Sequence, residues 1–251
     1  MNISKAKVKL IRSLDSKNAR SEAGLFVAEG EKLVKDLLKT SLKCKFLVHS
    51  DAVKFQKDNP ETEYYVADTA TMKQISFLAT PPELLGVFEI PILIEKTDAH
   101  QAPIICLDGI RDPGNFGTIV RTADWFGFHH IICSKDCVDA YNPKCIQASM
   151  GAIASVKIEY TDLVSYISSF GKSLPVAGTF MEGANIYTHD LQKNGFIVFG
   201  NEGTGISREV LPLITHKISI PSFGKKQAES LNVASSVAII ASEFRRQNTV
   251  F

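Results

Sequence analysis

Three short stretches gather polar side chains among glycines: "LDGIRDPGNFGTIVRTA" (residues 107–123), "FGNEGTGIS" (199–207) and "PSFGKKQAESLN" (221–232). They place Asn115 and Arg121, then Asn201 and Glu202, then Ser230 and Asn232, close to Gly109, Gly114, Gly117, Gly200, Gly203, Gly205 and Gly224. Glycine lets the backbone approach a ligand closely, and helix starts offer amide donors. The chemistry indicated is a ligand site built largely from main chain, with an arginine, a carboxylate, a hydroxyl and amides beside it.

Each residue also has an ordinary explanation. Asn115 suits an N-cap for the helix that follows it. Arg121 lies away from Phe116, Ile119, Val120 and Ala123, as an exposed helix arginine would. Asn201 and Glu202 can form a turn beside Gly203, and Ser230 can cap the closing helix. Only their convergence on one sheet edge argues for function. A dinucleotide site is the obvious competitor, and Asp136 falls about 20 residues past the first glycines, as a ribose-binding acid would. Yet Gly109, Gly114 and Gly117 do not form GxGxxG, and no GxxxxGK[ST] occurs.

The elements that must position these loops alternate. From Pro103 the sequence reads as strand "PIICLDG", a helix through Thr118 to Phe126, strand "HHIICS", a helix around Pro143 to Gly151, strand "SVKIEY" and helix "TDLVSYISSF". It continues with strands "LPVAGTF", "FIVFGNEG" and "HKISIP" and a closing helix from about Leu231 to Arg246. Continuously apolar strands alternating with helices predict a parallel sheet covered on both faces, whose ligands sit at the carboxyl ends of the strands. Before it, residues 1–95 predict a smaller α/β unit. It has an amphipathic first helix with Val8, Ile11 and Leu14 inward, strand "GLFVAEG", helix "EKLVKDLLKT", strands "KFLVHS" and "EYYVAD", helix "ATMKQISFL" and strand "LLGVFEI". A linker is expected near residues 91–103.

Composition adds exclusions. With 45% hydrophobic residues the chain can bury a core, which excludes a disordered protein. No apolar run reaches the roughly 18–20 residues that span a bilayer, and "MNISKAKVKLIRSL" lacks a signal-peptide core, so a cytoplasmic protein is expected. Five cysteines without CxxC spacing argue against a disulfide framework or a zinc site. The net charge of +1 is uninformative, but Lys5, Lys7, Lys9, Arg12, Lys17 and Arg20 face one acid, Asp15, within the first twenty residues. Such an excess suits phosphate.

The three loops, in this order and spacing, resemble the signatures of the SpoU/TrmH family of RNA ribose methyltransferases, of the SPOUT class. The resemblance spans residues 104–246 and includes "QASMGAIASVKIEY". It implies a C-terminal trefoil-knotted parallel-sheet α/β domain, here residues 96–251, that acts as a homodimer and binds S-adenosylmethionine without metal. By position, it assigns cofactor contacts to Thr179, Gly200, Ile220 and Leu231. It assigns catalysis to Arg121, with Asn115 and Glu202 orienting the site, and Ser230 and Asn232 holding the ribose and the cofactor end of the loop. Glu202 is the alternative base. One departure is a loop between Pro221 and Ser230 longer than the family pattern. The first 95 residues, with "NARSEAGLFVAEGEKLVKDLL", resemble the ribosomal-protein-like RNA substrate-binding domain of members acting on ribosomal RNA. In that context the basic first twenty residues are expected to contact RNA, whereas Tyr64, Tyr65 and Phe77 are expected in the core. Two alternatives stay open: a non-catalytic RNA-binding or ribosome-assembly protein on the same fold, and a transfer-RNA ribose methyltransferase.

Overall fold

The computed structural model describes residues 1–51, 62–92, 103–224 and 230–249. The chain supplies α1 (Lys5–Ser13), α2 (Lys17–Ala23), β1 (Leu25–Glu29), α3 (Glu31–Leu38), β2 (Cys44–Ser50), β3 (Glu63–Ala67), α4 (Thr69–Ile75) and β4 (Leu84–Glu89). Then come β5 (Ile104–Asp108), α5 (Pro113–Trp125), β6 (His130–Ser134), α6 (Pro143–Ser149), β7 (Lys157–Thr161) and α7 (Leu163–Ser168). The last are β8 (Val176–Asn185), β9 (Phe196–Gly200), β10 (His216–Ser219) and α8 (Val233–Asn248). Every strand read from the apolar runs is present. The residue-95 boundary and the longer part of the 221–230 loop lie outside the described residues.

Two compact units result, Met1–Ile92 with Asp139–Ala154, and Leu93–Val138 with Ser155–Phe251. The first holds a four-stranded sheet in the order β1-β4-β2-β3, in which only β2 and β3 run parallel. Its core contains Ile11, Leu14, Val27, Phe46, Val48, Ile75 and Val87, with Val8 packed against it. Residues 139–154, carrying α6, lie far along the sequence yet belong to this unit, a discontinuity absent from the linear division at residue 95. The reason is local. Tyr141 packs its ring 5.1 Å from that of Phe26 on β1, and Asp139 accepts a 2.8 Å hydrogen bond from Nε of Arg20.

Arg20 thereby departs from its expected place on a basic RNA-facing surface: it is 2% exposed. Its Nη1 donates to the carbonyls of Leu14 (2.7 Å) and Asp15 (2.8 Å), closing the carboxyl end of α1, where a cation is favoured. Lys7 is also turned inward, donating to Glu63 at 2.9 Å with its ammonium over the Phe46 and Tyr65 rings. Lys5, Lys9, Arg12 and Lys17 remain exposed. Tyr65 is buried in the core, as expected, and Phe77 packs against it.

The second unit is a six-stranded sheet in the order β10-β8-β9-β5-β6-β7, parallel throughout. All carboxyl ends therefore share one edge. Its core includes Ile104, Cys106, Ile132, Leu163, Ile167, Phe196 and Val198. Among the described residues no helix is long and apolar enough to cross a membrane, no group of His, Cys, Asp and Glu could hold a metal ion, and none of the five cysteines is in a disulfide.

At the amino end of β6, His130 is 2% exposed, and neither ring nitrogen has a hydrogen-bond partner among the described residues. Glu159 is 3.6 Å away, beyond hydrogen-bond range. Burial first, and the Lys157 ammonium second, push its pKa down to about 4. Unfolded, the imidazole titrates near 6.5. Below that value the unfolded chain binds a proton that the folded chain refuses, so stability present at neutral pH is lost as pH falls from about 6.5 towards 4. We expect a loss of about 3 kcal/mol over that window, which His130→Leu should flatten, as read by urea unfolding at pH 7 and pH 4.5.

Candidate active site

β5 ends at Asp108, which is 6% exposed and accepts a 2.7 Å hydrogen bond from the amide of Ser207, beyond β9. Asn201, the first residue after β9, reaches back and donates to the Gly109 carbonyl at 2.7 Å. Its own Oδ1 accepts from the amides of Gly203 (2.9 Å) and Thr204 (3.1 Å), so it folds the turn that follows. Gly200 is obligatory there, because a Cβ on it would lie 2.2 Å from the Gly205 carbonyl carbon.

Asn115 is not the N-cap expected from sequence. Asp112 is, accepting from the Asn115 amide at 2.7 Å, with Pro113 starting the helix. The helix thus begins a full turn earlier than the apolar pattern suggested, and the Asn115 side chain is released. Its Nδ2 donates to Oε1 of Glu202 at 2.7 Å, and its Oδ1 accepts from Nδ2 of Asn232 at 2.8 Å. One chain of hydrogen bonds thus ties together the loops that follow β9, β5 and β10. Asn232 also caps α8, accepting from the amides of Ala234 and Ser235. That is the role expected of Ser230, which is exposed instead.

Arg121 is exposed on α5 and makes no hydrogen bond or ion pair among the described residues. The structure therefore links Asn115, Glu202 and Asn232 by hydrogen bonds, and no hydrogen bond joins Arg121 or Ser230 to them among the described residues.

Of the other four expected residues, Thr179 lies within β8 just past Gly178, Gly200 ends β9, Ile220 follows β10 and Leu231 comes just before α8. Thr179, Gly200 and Ile220 are half-buried, and Leu231 is 51% exposed. Sequence did not reveal what happens beside Thr179. Lys217 pairs with Gly178, but the next residue, Ile218, pairs with Ala184, so residues 179–183 stand outside the ladder. Their main-chain groups are released from sheet pairing at the edge where a ligand would sit. Gly183 permits this excursion, since a Cβ there would lie 2.8 Å from the Lys217 carbonyl oxygen.

Two further residues escaped the sequence reading. Ser134, at the end of β6, accepts from the Gly109 amide at 2.9 Å and donates to Oδ1 of Asp136 at 2.6 Å. Asp136 Oδ2 accepts from Nη2 of Arg111 at 3.1 Å. Ser134 chiefly, and Arg111 after it, hold the Asp136 carboxyl below its usual pKa. Asp136 thus serves the neighbouring loop, which disposes of the ribose-acid role weighed for a dinucleotide site.

With the three loops joined, the comparison with known proteins is decisive: residues 102–242 match the SpoU rRNA Methylase family. The chain belongs to that family. Residues 5–86 match a second family, the MRM3-like substrate binding domain. Among relatives of this SpoU methylase, the 23S rRNA (guanosine(2553)-2'-O)-methyltransferase RlmP of Bacillus subtilis is 28% identical over 95% of this chain and 96% of its own length. The 23S rRNA (guanosine-2'-O-)-methyltransferase RlmB of Neisseria meningitidis is 35% identical over 76% of this chain and 80% of its own. An AdoMet-bound rRNA methyltransferase from Sinorhizobium meliloti superposes with a TM-score of 0.83 at 28% identity, covering 100% of this chain and 98% of that one.

Proposed function

We propose that this SpoU methylase transfers a methyl group from S-adenosylmethionine to a ribose 2'-hydroxyl of ribosomal RNA. The observation that carries the reading is the Glu202–Asn115–Asn232 chain, which draws three glycine loops to one sheet edge.

The residues suit the cofactor. A sulfonium carries no phosphate, so it needs no anion cradle; adenine needs an apolar face and main-chain partners. The released backbone of residues 179–183, the bare backbone at Gly200, and the exposed apolar side chains of Met181 (59%) and Leu231 (51%) answer those needs. Thr179, Gly200, Ile220 and Leu231 would hold it. When bound, it supplies an electrophilic methyl group.

Displacement at that carbon is in-line, so the protein must align the attacking oxygen and assist loss of its proton. Asn115 and Asn232 orient the ribose, with Ser230 closing over it. Glu202, fixed by Asn115, is one acceptor for the proton. The Arg121 guanidinium stabilises the developing alkoxide. Substrate choice falls to the first unit, whose exposed Lys5, Lys9, Arg12 and Lys17 meet RNA phosphates.

To this reading we attach the knotted crossing of the C-terminal loops, a cytoplasmic setting and a homodimer. Trp125, 84% exposed at the end of α5, is the apolar side chain we place in the dimer contact.

The test is incorporation of labelled methyl into unmodified large-subunit ribosomal RNA transcribed in vitro, followed by nuclease mapping of 2'-O-methyl nucleosides. Sedimentation equilibrium on the same preparation reads the dimer. Label recovered on a base would overturn the ribose assignment. RNA binding without any transfer would favour the assembly-protein alternative, and label in transfer RNA alone would redirect the substrate.

A further inference from the structure

We propose that Arg111 is a phosphate-binding residue for the RNA strand at this site and that Asp136 positions it. The inference rests on the ribose-methylation reading above and deepens it.

Arg111 lies between the end of β5 and Asp112, the cap of α5, four residues before Asn115 and its hydrogen-bond chain. Its side chain is 72% exposed, yet it is held, with Nη2 donating to Asp136 Oδ2 at 3.1 Å. The carboxylate is itself held, because Oδ1 accepts from Ser134 Oγ, which in turn accepts from the Gly109 amide. The loop that carries Arg111 therefore anchors the acid that aims it.

An ion pair this exposed contributes little to stability. Its effect is better sought in recognition. A guanidinium presents five N–H donors, and here only one is engaged among the described residues. A fork already fixed loses less freedom when it meets the paired oxygens of a phosphate. The site needs such a group. Every ribose in an RNA strand is flanked by phosphates, and the Glu202 carboxylate, one hydrogen bond from Asn115, repels them. A cation on the same sheet edge offsets that repulsion without entering the chemistry.

The full-length protein is assayed as wild type, Arg111→Gln, Arg111→Lys and Asp136→Asn. Readouts are methyl transfer to in vitro transcribed large-subunit ribosomal RNA, the salt dependence of RNA binding, and S-adenosylmethionine affinity by calorimetry. Arg111→Gln should raise KM for RNA about tenfold with kcat within about twofold, and lower the slope of log K against log salt by about 0.7–0.9. Cofactor affinity should be unchanged. Arg111→Lys should restore the slope but only part of KM, since an ammonium lacks the fork. Asp136→Asn should raise KM while keeping the slope, as the charge remains but is no longer aimed. An unchanged slope in Arg111→Gln would overturn the proposal, as would a fall in kcat together with cofactor affinity, which would make Arg111 a loop brace. Failure of the ribose-methylation reading shows separately, as absence of 2'-O-methyl product from the wild type.

Discussion

Arg121→Ala is expected to lower methyl transfer about 10³-fold while leaving cofactor affinity within about threefold and the thermal unfolding profile unchanged. The stability half of that expectation follows from placement: Arg121 is exposed on α5 and has no partner among the described residues, so truncation opens no cavity and strands no buried charge. The kinetic half follows from charge. The attacking 2'-oxygen gains negative charge before its bond to the methyl carbon is complete, and on the proposed reading a guanidinium beside it would act more strongly there than on the neutral hydroxyl. A guanidinium is in general a poor base, so the proton needs another acceptor. Glu202→Gln therefore serves as the partner experiment: if Glu202 takes the proton, its variant loses the acidic limb of the pH–rate profile, whereas Arg121→Lys keeps that limb. Single-turnover transfer from labelled cofactor measures both. Near-normal turnover by Arg121→Ala would end the assignment.

Asp139→Ala should destabilise the first unit by about 3–5 kcal/mol, because it leaves the Arg20 guanidinium buried without its counter-charge. Arg20 is 2% exposed on its side chain and Asp139 14%. The carbonyls of Leu14 and Asp15 would still accept from Nη1, but they cannot neutralise it. Replacing both partners, as Arg20→Met with Asp139→Leu, should recover most of the loss, since the penalty belongs to the orphaned ion rather than to the missing attraction. Urea unfolding of the full chain followed by far-ultraviolet circular dichroism gives both numbers. A single variant as stable as wild type would mean that water reaches the arginine.

Much of the architecture was legible from local pattern. The apolar runs "IICLD", "HIICS" and "FIVFG" are strands because each is buried on both faces, and the parallel sheet they predict placed the three glycine loops, which follow "IICLD", "FIVFG" and "HKISIP", on one edge. What stayed hidden depends on partners distant in sequence. Arg20 among lysines reads as one more surface cation until Asp139, 119 residues later, is set against it. Asn115 and Asp112 are equally good caps on paper; Pro113, which favours the first helical position, decides between them. Ser230 and Asn232 pose the same ambiguity, and the two amides accepted by Asn232 resolve it. The excursion at residues 179–183 leaves only one trace in the sequence, Gly183, and a lone glycine is too common to be read.

The membership of residues 139–154 in the first unit bears on how this protein is made. A ribosome extending the chain by about 5–20 residues per second needs roughly 6–24 s to travel from Arg20 to Asp139. Throughout that interval the emerging amino-terminal segment holds a cation it cannot yet shelter and a β1 surface that α6 has not covered. The unit synthesised first cannot be completed first, and its maturation waits on the translation of β5, α5 and β6.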